Sequence, residues 1–202
     1  MQLLDEPVPE PKPGEVVVKA HAIGVGIPDC MIRAGTYAWM PPLPLTPGTE
    51  MSGTIEKVGA GVTQRLVGQR VYTTARERPH RGGHYADYIA TPADATFILP
   101  DTVDFDAAAS LANYQVAYHI FHDALATRPG QTVLIYAAAG GMGNALIDLA
   151  KSAGLTVIGV VGEHVIWPCG QTEMLVSTCG TVTMVEVLTP EPNESVSVKV
   201  PA

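Results

Sequence analysis

The sequence predicts an α/β chain in two unlike parts. Residues 1–100 read as all-β, and residues 101–162 read as part of a doubly wound parallel sheet. Three observations carry this. Short apolar runs punctuated by Gly and Pro fill the first hundred residues. Helical spacing replaces them near residue 100. A strand, a glycine turn, a helix and a second strand then follow within about 30 residues. The remaining stretch, 163–202, reads as a divergent β-rich tail.

Val16, Val17 and Val18 follow the turn cluster Pro11-Lys12-Pro13-Gly14, which predicts the first strand. Further strands are expected at Met51–Val58, closed by Gly59-Ala60-Gly61, at Gln69–Thr74 and at Ala86–Ala90. The stretch Trp39–Pro47 is too rich in proline for a helix or a central strand and reads as a surface connection. Closely spaced strands with Gly and Pro turns suggest a small barrel or sandwich. Beyond residue 100, Asp104 or Asp106 can cap a helix through Ala107, Ala108, Ala109 and Leu111. A second helical stretch covers Gln115–Ala126 and stops at Pro129-Gly130. Thr132–Tyr136 is a buried-strand run, and Gly140–Gly143 a glycine turn. Asn144–Ala153 is a helix with Leu146, Leu149 and Ala150 on one face, ended by Gly154. Thr156–Val161 is a second apolar strand, and two such strands around a helix imply a parallel sheet covered on both faces. In the tail, Thr181–Leu188 and Ser195–Val200 read as strands, the second alternating Val196, Val198 and Val200.

Composition narrows the function. With 47% hydrophobic and 16% charged residues in 202, the chain has the material for a core. A net charge of −8 argues against a general binder of nucleic acid or anionic membranes. No apolar run reaches the roughly 18 residues of a membrane span. The start MQLLDEPVPEP lacks a basic n-region and an apolar h-region, so a cytoplasmic chain without a secretory signal is expected. Cys30, Cys169 and Cys179 form no C-x-x-C pair, which makes a disulfide framework or a cysteine-built zinc site improbable. A single Cys169–Cys179 bridge and three reduced thiols both stay open. His119 and His122 are three apart on a predicted helix, and His80 and His84 flank Arg81-Gly82-Gly83. Neither pair has an evident third ligand, so no metal site is expected. Arg65, Arg70, Arg76, Arg78 and Arg81 form a basic stretch that reads as a solvated loop face, with a phosphate or RNA as the alternative partner.

The motif that carries chemistry is the turn after Thr132–Tyr136. Set against G-x-G-x-x-G, Ala138 stands at the first glycine, and Gly140 and Gly143 at the second and third. Ala138, Ala139, Gly140, Gly141, Met142 and Gly143 are the candidate cofactor-binding residues. The second glycine admits a pyrophosphate close to the backbone, and the third lets the helix pack on the strand. The helix start adds free N–H groups and partial positive charge. The alternative is a glycine turn that serves packing alone.

With that motif, a longer resemblance emerges. EPVPEPKPGEVVVKAHAIGV, PDCMIRAGTY, TPGTEMSGTIEKVGAGV, VGQRVY, GGHYADYIATPADATFILPD, DAAASL and AAAGGMGNALIDLAKSAGLTVIGVVG follow in order. Over residues 6–162 they resemble the zinc-free quinone oxidoreductase (zeta-crystallin-like) branch of the medium-chain dehydrogenase/reductase superfamily. The resemblance implies a GroES-like β-barrel domain at 1–100 and a partial Rossmann dinucleotide-binding domain at 101–162. It also implies NADP as cofactor, with NAD open, a small-molecule quinone or activated enone as acceptor, and a homodimer or self-association through the Rossmann sheet. Zinc-dependent members carry Cys where Gly26 stands and His where Thr49 stands, and Glu50 alone cannot hold zinc. That fits the chemistry. A quinone or activated enone is already electrophilic and takes hydride without a Lewis acid, whereas an alcohol would need a metal or a strong base.

The resemblance also nominates residues. Tyr37 matches a tyrosine lining the substrate cleft, where a protonated phenol would hydrogen-bond a developing oxyanion. The weightier reading of Tyr37 is a half-buried aromatic with a satisfied hydroxyl. Asp29 matches an aspartate near the nicotinamide ribose, or equally caps a local turn. Val116 stands where the family has a threonine near the nicotinamide, and Gly26 where it has an asparagine. Glu163-His164 replace contacts to a 2′-phosphate, and an acid there would favour NAD.

The resemblance stops at Gly162, and residues 163–202 supply none of the family's further βα units. The expectation is a truncated form. It is either an NAD(P)H-dependent oxidoreductase of weak activity, or a catalytically inactive chain that binds a protein partner or RNA. The second strand of the parallel pair and the tail strands have no obvious cover, so exposed edges and self-association are expected.

Overall fold

A computed structural model describes residues 2–75 and 82–161 in full, and the backbone of 164–166, 183–188 and 196–200. The chain divides into two compact units, Met1–Ala112 and Asn113–Ala202.

The first unit is built on a five-stranded antiparallel sheet. Its strands are β1 (Glu15–Ile23), β2 (Glu50–Val58), β3 (Arg70–Thr74), β4 (Tyr88–Pro92) and β5 (Thr96–Ile98), in the order β4-β1-β2-β3-β5. The valines that predict β1 are all fully buried. Val16 and Val18 meet Met51, Ile55, Val71 and Ile89 in one apolar core. β1 and β2 approach closely because Gly53 has no side chain: a Cβ there would lie 2.0 Å from the Lys19 carbonyl oxygen. The pattern places β4 two residues early, and it does not find β5, a three-residue strand whose Phe97 and Ile98 are both exposed.

The all-β reading of residues 1–100 needs one correction. Ile27–Ala34 is a helix, α1, between β1 and β2. Its signals are local. Gly26 is the N-cap residue, Pro28 stands in the first turn, and the Asp29 carboxylate accepts from the Gly26 N–H at 2.9 Å. Gly35, with φ 72°, ends it in the left-handed conformation that favours glycine. A second correction concerns the helix expected through Leu111, which is broken in two. α2 (Phe105–Ala108) is capped by Asp104, whose carboxylate accepts from Ala107 N at 2.6 Å. After a turn, α3 (Leu111–His119) begins four residues before its expected start and runs into a wider π-helical turn, Ile120–Ala124.

The second unit forms the expected parallel pair. β6 (Thr132–Tyr136) and β7 (Thr156–Val161) run side by side with Thr132 opposite Thr156 and Tyr136 opposite Val160. α4 (Gly141–Ser152) connects them and starts three residues earlier than the sequence suggests. Phe121, Val133, Ile135, Leu146, Ala150 and Val157 share one apolar core.

The tail joins this sheet. β8 (His164–Ile166) pairs antiparallel with β7, β9 (Thr183–Leu188) antiparallel with β6, and β10 (Val196–Val200) antiparallel with β9. The order is β10-β9-β6-β7-β8. The expected free edge on β7 is therefore overturned: β8 hydrogen-bonds along it, and the outer strands among the described residues are β8 and β10. Cys169 and Cys179 lie outside the described residues, as do His80, Arg76, Arg78, Arg81 and Glu163.

Candidate nucleotide-binding turn and a buried acidic cluster

In the second unit the turn from β6 into α4 is built almost wholly from backbone. Ala137 leaves the strand with φ 54°, a conformation an alanine rarely adopts. Its carbonyl accepts from Gly140 N at 3.0 Å and so folds the turn on itself. Gly140 is the N-cap residue of α4 in an extended conformation. The first i→i−4 bond of the helix runs from Asn144 N to Gly140 O at 2.9 Å. The N–H groups of Gly141, Met142 and Gly143 precede it and have no partner within the helix. No acidic side chain sits in that first turn. The local field is accordingly that of an anion site.

Each glycine of the turn has its own reason. A Cβ on Gly143 would lie 2.5 Å from the Ala137 oxygen and 2.6 Å from the Ala138 Cα, so the helix touches the turn there. A Cβ on Gly141 would lie 2.9 Å from the Asn113 amide nitrogen. A Cβ on Gly140 would meet only the Ala137 oxygen, at 3.3 Å, so that glycine leaves room on its outer side. Ala138, at the first glycine's place, is buried, and Gly159 on β7 makes space for its methyl group, which a Cβ on Gly159 would meet at 3.0 Å. Ala139 and Met142 are half-buried and pack against the core, as does Val116 on α3.

In the first unit the candidate residues gather around Asp29, which is only 4% exposed. Its Oδ2 accepts from Gly26 N and, at 3.5 Å, from the Thr49 hydroxyl. The two positions where zinc-dependent relatives are expected to carry ligands are thus tied together by a carboxylate. Its other oxygen, Oδ1, and the Tyr85 hydroxyl are both buried with no partner at hydrogen-bond distance. Burial first, and the Asp29 charge beside it second, push the Tyr85 pKa up to about 12, so this phenol stays protonated. Glu50 follows Thr49. It accepts from Ala112 N at 2.9 Å and from the Tyr72 hydroxyl at 3.1 Å. Burial raises its pKa against the lowering effect of those two bonds.

Sequence reasoning names Asp29 but passes over Tyr85, and weighs Glu50 only as a residue that cannot hold zinc alone. The signals for both are glycines. A Cβ on Gly48 would strike the Tyr85 ring at 2.4 Å, and one on Gly24 would strike the Glu50 side chain at 2.6 Å. Tyr37 is half-buried and packs edge-on against Trp39 with ring centroids 5.8 Å apart. Two arginines of the basic stretch are used internally. Arg65 donates to the Thr96 hydroxyl and carbonyl, and Arg70 donates to the Pro100 carbonyl and stacks on Phe105. Among the described residues, no three His, Cys, Asp or Glu side chains gather to hold a metal ion. No helix there is long and apolar enough to cross a membrane.

Residues 12–101 match the alcohol dehydrogenase GroES-like domain. Rat quinone oxidoreductase is 38% identical over 162 residues, which is 79% of this chain and 48% of that protein. Rat synaptic vesicle membrane protein VAT-1 homolog is 39% identical over 153 residues, 75% of this chain and 37% of that protein. Among solved structures, Escherichia coli quinone oxidoreductase complexed with NADPH superposes with a TM-score of 0.70 at 34% identity. That match covers 79% of this chain and 48% of the bacterial one. The chain thus spans about half the length, or less, of the relatives it matches.

Proposed function

We propose a function from one premise: the chain belongs to the zinc-free, quinone oxidoreductase-like branch of the medium-chain dehydrogenase/reductase superfamily. Its role is to bind NADPH in an oxidoreductase that passes hydride to a quinone or an activated enone. The β6–α4 turn carries this reading. Three N–H groups at the start of a twelve-residue helix have no partner within it, a Cβ on Gly140 would meet only the Ala137 oxygen, and no acid sits in the first turn to compete.

NADPH supplies the hydride when bound. The chain's own residues do the rest. The turn takes the pyrophosphate. Tyr37 donates a hydrogen bond to the acceptor oxygen, and the proton that completes the reduction comes from solvent. Asp29 holds Gly26 and Thr49 in one conformation, and with no zinc ligands at those two positions the acceptor must be electrophilic in itself. Family members' dimers suggest a homodimer for this chain.

A thermal melt of the purified chain with increasing NADPH or NADH tests the proposal. A saturable rise in Tm is expected, about 2.7 kcal/mol of stabilisation at a hundred times Kd. A melt unmoved by millimolar nucleotide of either kind defeats it. The antiparallel tail strand beside β6 favours the second reading, a chain without turnover, which quinone assays on the NADPH-saturated protein decide.

A further inference from the structure

We infer that the second unit grips only the adenosine-diphosphate half of the dinucleotide and leaves the nicotinamide half unheld by its sheet. This rests on the NADPH-binding reading above and specifies which part of that ligand the site recognises. A doubly wound sheet holds a dinucleotide across a crevice between two mononucleotide units. The crevice opens at the carboxyl ends of parallel strands, where the strand order reverses. One unit starts at the first strand, here β6. The other starts at a parallel strand on that strand's opposite flank.

In this chain that flank belongs to β9, which runs the other way. Thr132 pairs with Leu188, and Ile135 pairs with Val185. β9 begins at Thr183, two residues before Val185, so its first residues reach toward the end of β6 from which the glycine turn departs. A parallel strand at this position would present a carboxyl end and a second helix start. β9 instead brings the chain into the sheet at that edge, and β10 pairs along its far side with Val200 opposite Thr183. The only parallel pair among the described strands is β6–β7. Among the described residues the sheet therefore presents one helix start at the carboxyl end of a parallel strand, and β9 occupies the flank on which a second would stand. The recognised chemistry is an adenine nucleotide with a diphosphate.

Competition binding on the full chain tests this. The probes are NADPH, 2′-phospho-ADP-ribose, which shares its adenosine and both bridging phosphates, and nicotinamide mononucleotide. The expected result is a Kd for 2′-phospho-ADP-ribose within fivefold of that for NADPH, full mutual displacement, and no displacement by the mononucleotide at millimolar concentration. NADPH binding more than fivefold tighter than 2′-phospho-ADP-ribose, or displacement by nicotinamide mononucleotide, overturns the inference and leaves NADPH binding standing. Absence of binding by NADPH and 2′-phospho-ADP-ribose alike removes both readings together.

Discussion

The two units bury polar groups in opposite ways. Among the described residues, the polar and charged residues buried as a whole all lie in the first unit: Asp29, Ser52, Thr73, Thr74, His84, Thr91 and Thr96. Many of these join backbone segments. Ser52 donates to the Phe105 carbonyl, Thr96 donates to the Ala93 carbonyl, and the His84 ring bonds the Gly48 carbonyl. The core of the second unit is apolar throughout, and its candidate site is made of main-chain N–H groups. The difference has a physical lesson. A site made of side chains depends on which residues stand there, because each buried polar group needs its partner. A site made of backbone depends on which residues leave room, so its residues are glycines and alanines. The site in the first unit should be broken by deleting atoms and the turn in the second by adding them.

Four measurements sharpen that contrast. Of the four, the largest effect is expected from Gly143→Val in the second unit. Its Cβ would sit 2.5 Å from a backbone oxygen that cannot move without the turn. The loss should be about 3 kcal/mol in urea unfolding, and a loss under half of that would mean the helix can slide away from the turn. Next comes deletion in the first unit. Asp29→Ala removes the acceptor for Gly26 N and the Thr49 hydroxyl, at about 2 kcal/mol. Equal stability of Asp29→Ala and the parent chain would show that the cluster around Asp29 holds nothing together.

Gly140→Ala should separate binding from folding. Its Cβ meets one atom at 3.3 Å, so stability should fall by under about 1 kcal/mol. NADPH affinity should fall by about tenfold or more, equivalent to about 1.4 kcal/mol. Unchanged affinity would move the phosphate site elsewhere. The smallest effect concerns pH. The folded-state pKa of Glu50 is raised from 4.5, so the ionised form is the less comfortable one in the fold. Its contribution is present in full below pH 4.5 and is lost as pH rises through the raised value. Glu50→Gln lacks this titration. The Tm of the parent chain minus that of the variant should therefore decline as pH rises above 4.5. A difference independent of pH would show that Glu50 titrates as it does in water.

Legibility from sequence followed the same division. β1, β2, β3, β6 and β7 are each readable as short runs rich in apolar residues, because burial on a sheet leaves a local pattern. The glycine turn was readable because the demand for space falls on consecutive residues. α1 was not read, although its capping signals lie at Gly26, Asp29 and Gly35, because eight residues between two strands leave little periodicity. The closeness of Tyr85 to the Asp29 charge and the Glu50–Tyr72 hydrogen bond are not readable at all. Each joins residues more than twenty positions apart, and only the folded sheet brings them together.

By itself, the sequence determined the lineage, the switch from antiparallel sheet to parallel unit, and the glycine turn between β6 and α4. Each of these is encoded in contiguous residues, where steric demand and apolar period are local. Only the tertiary structure decided that the Asp29 carboxylate bridges Gly26 and Thr49 and that a tail strand lies antiparallel beside β6. Hydrogen-bond partners and strand neighbours are chosen between distant segments, and a strand's own residues suit either direction of pairing.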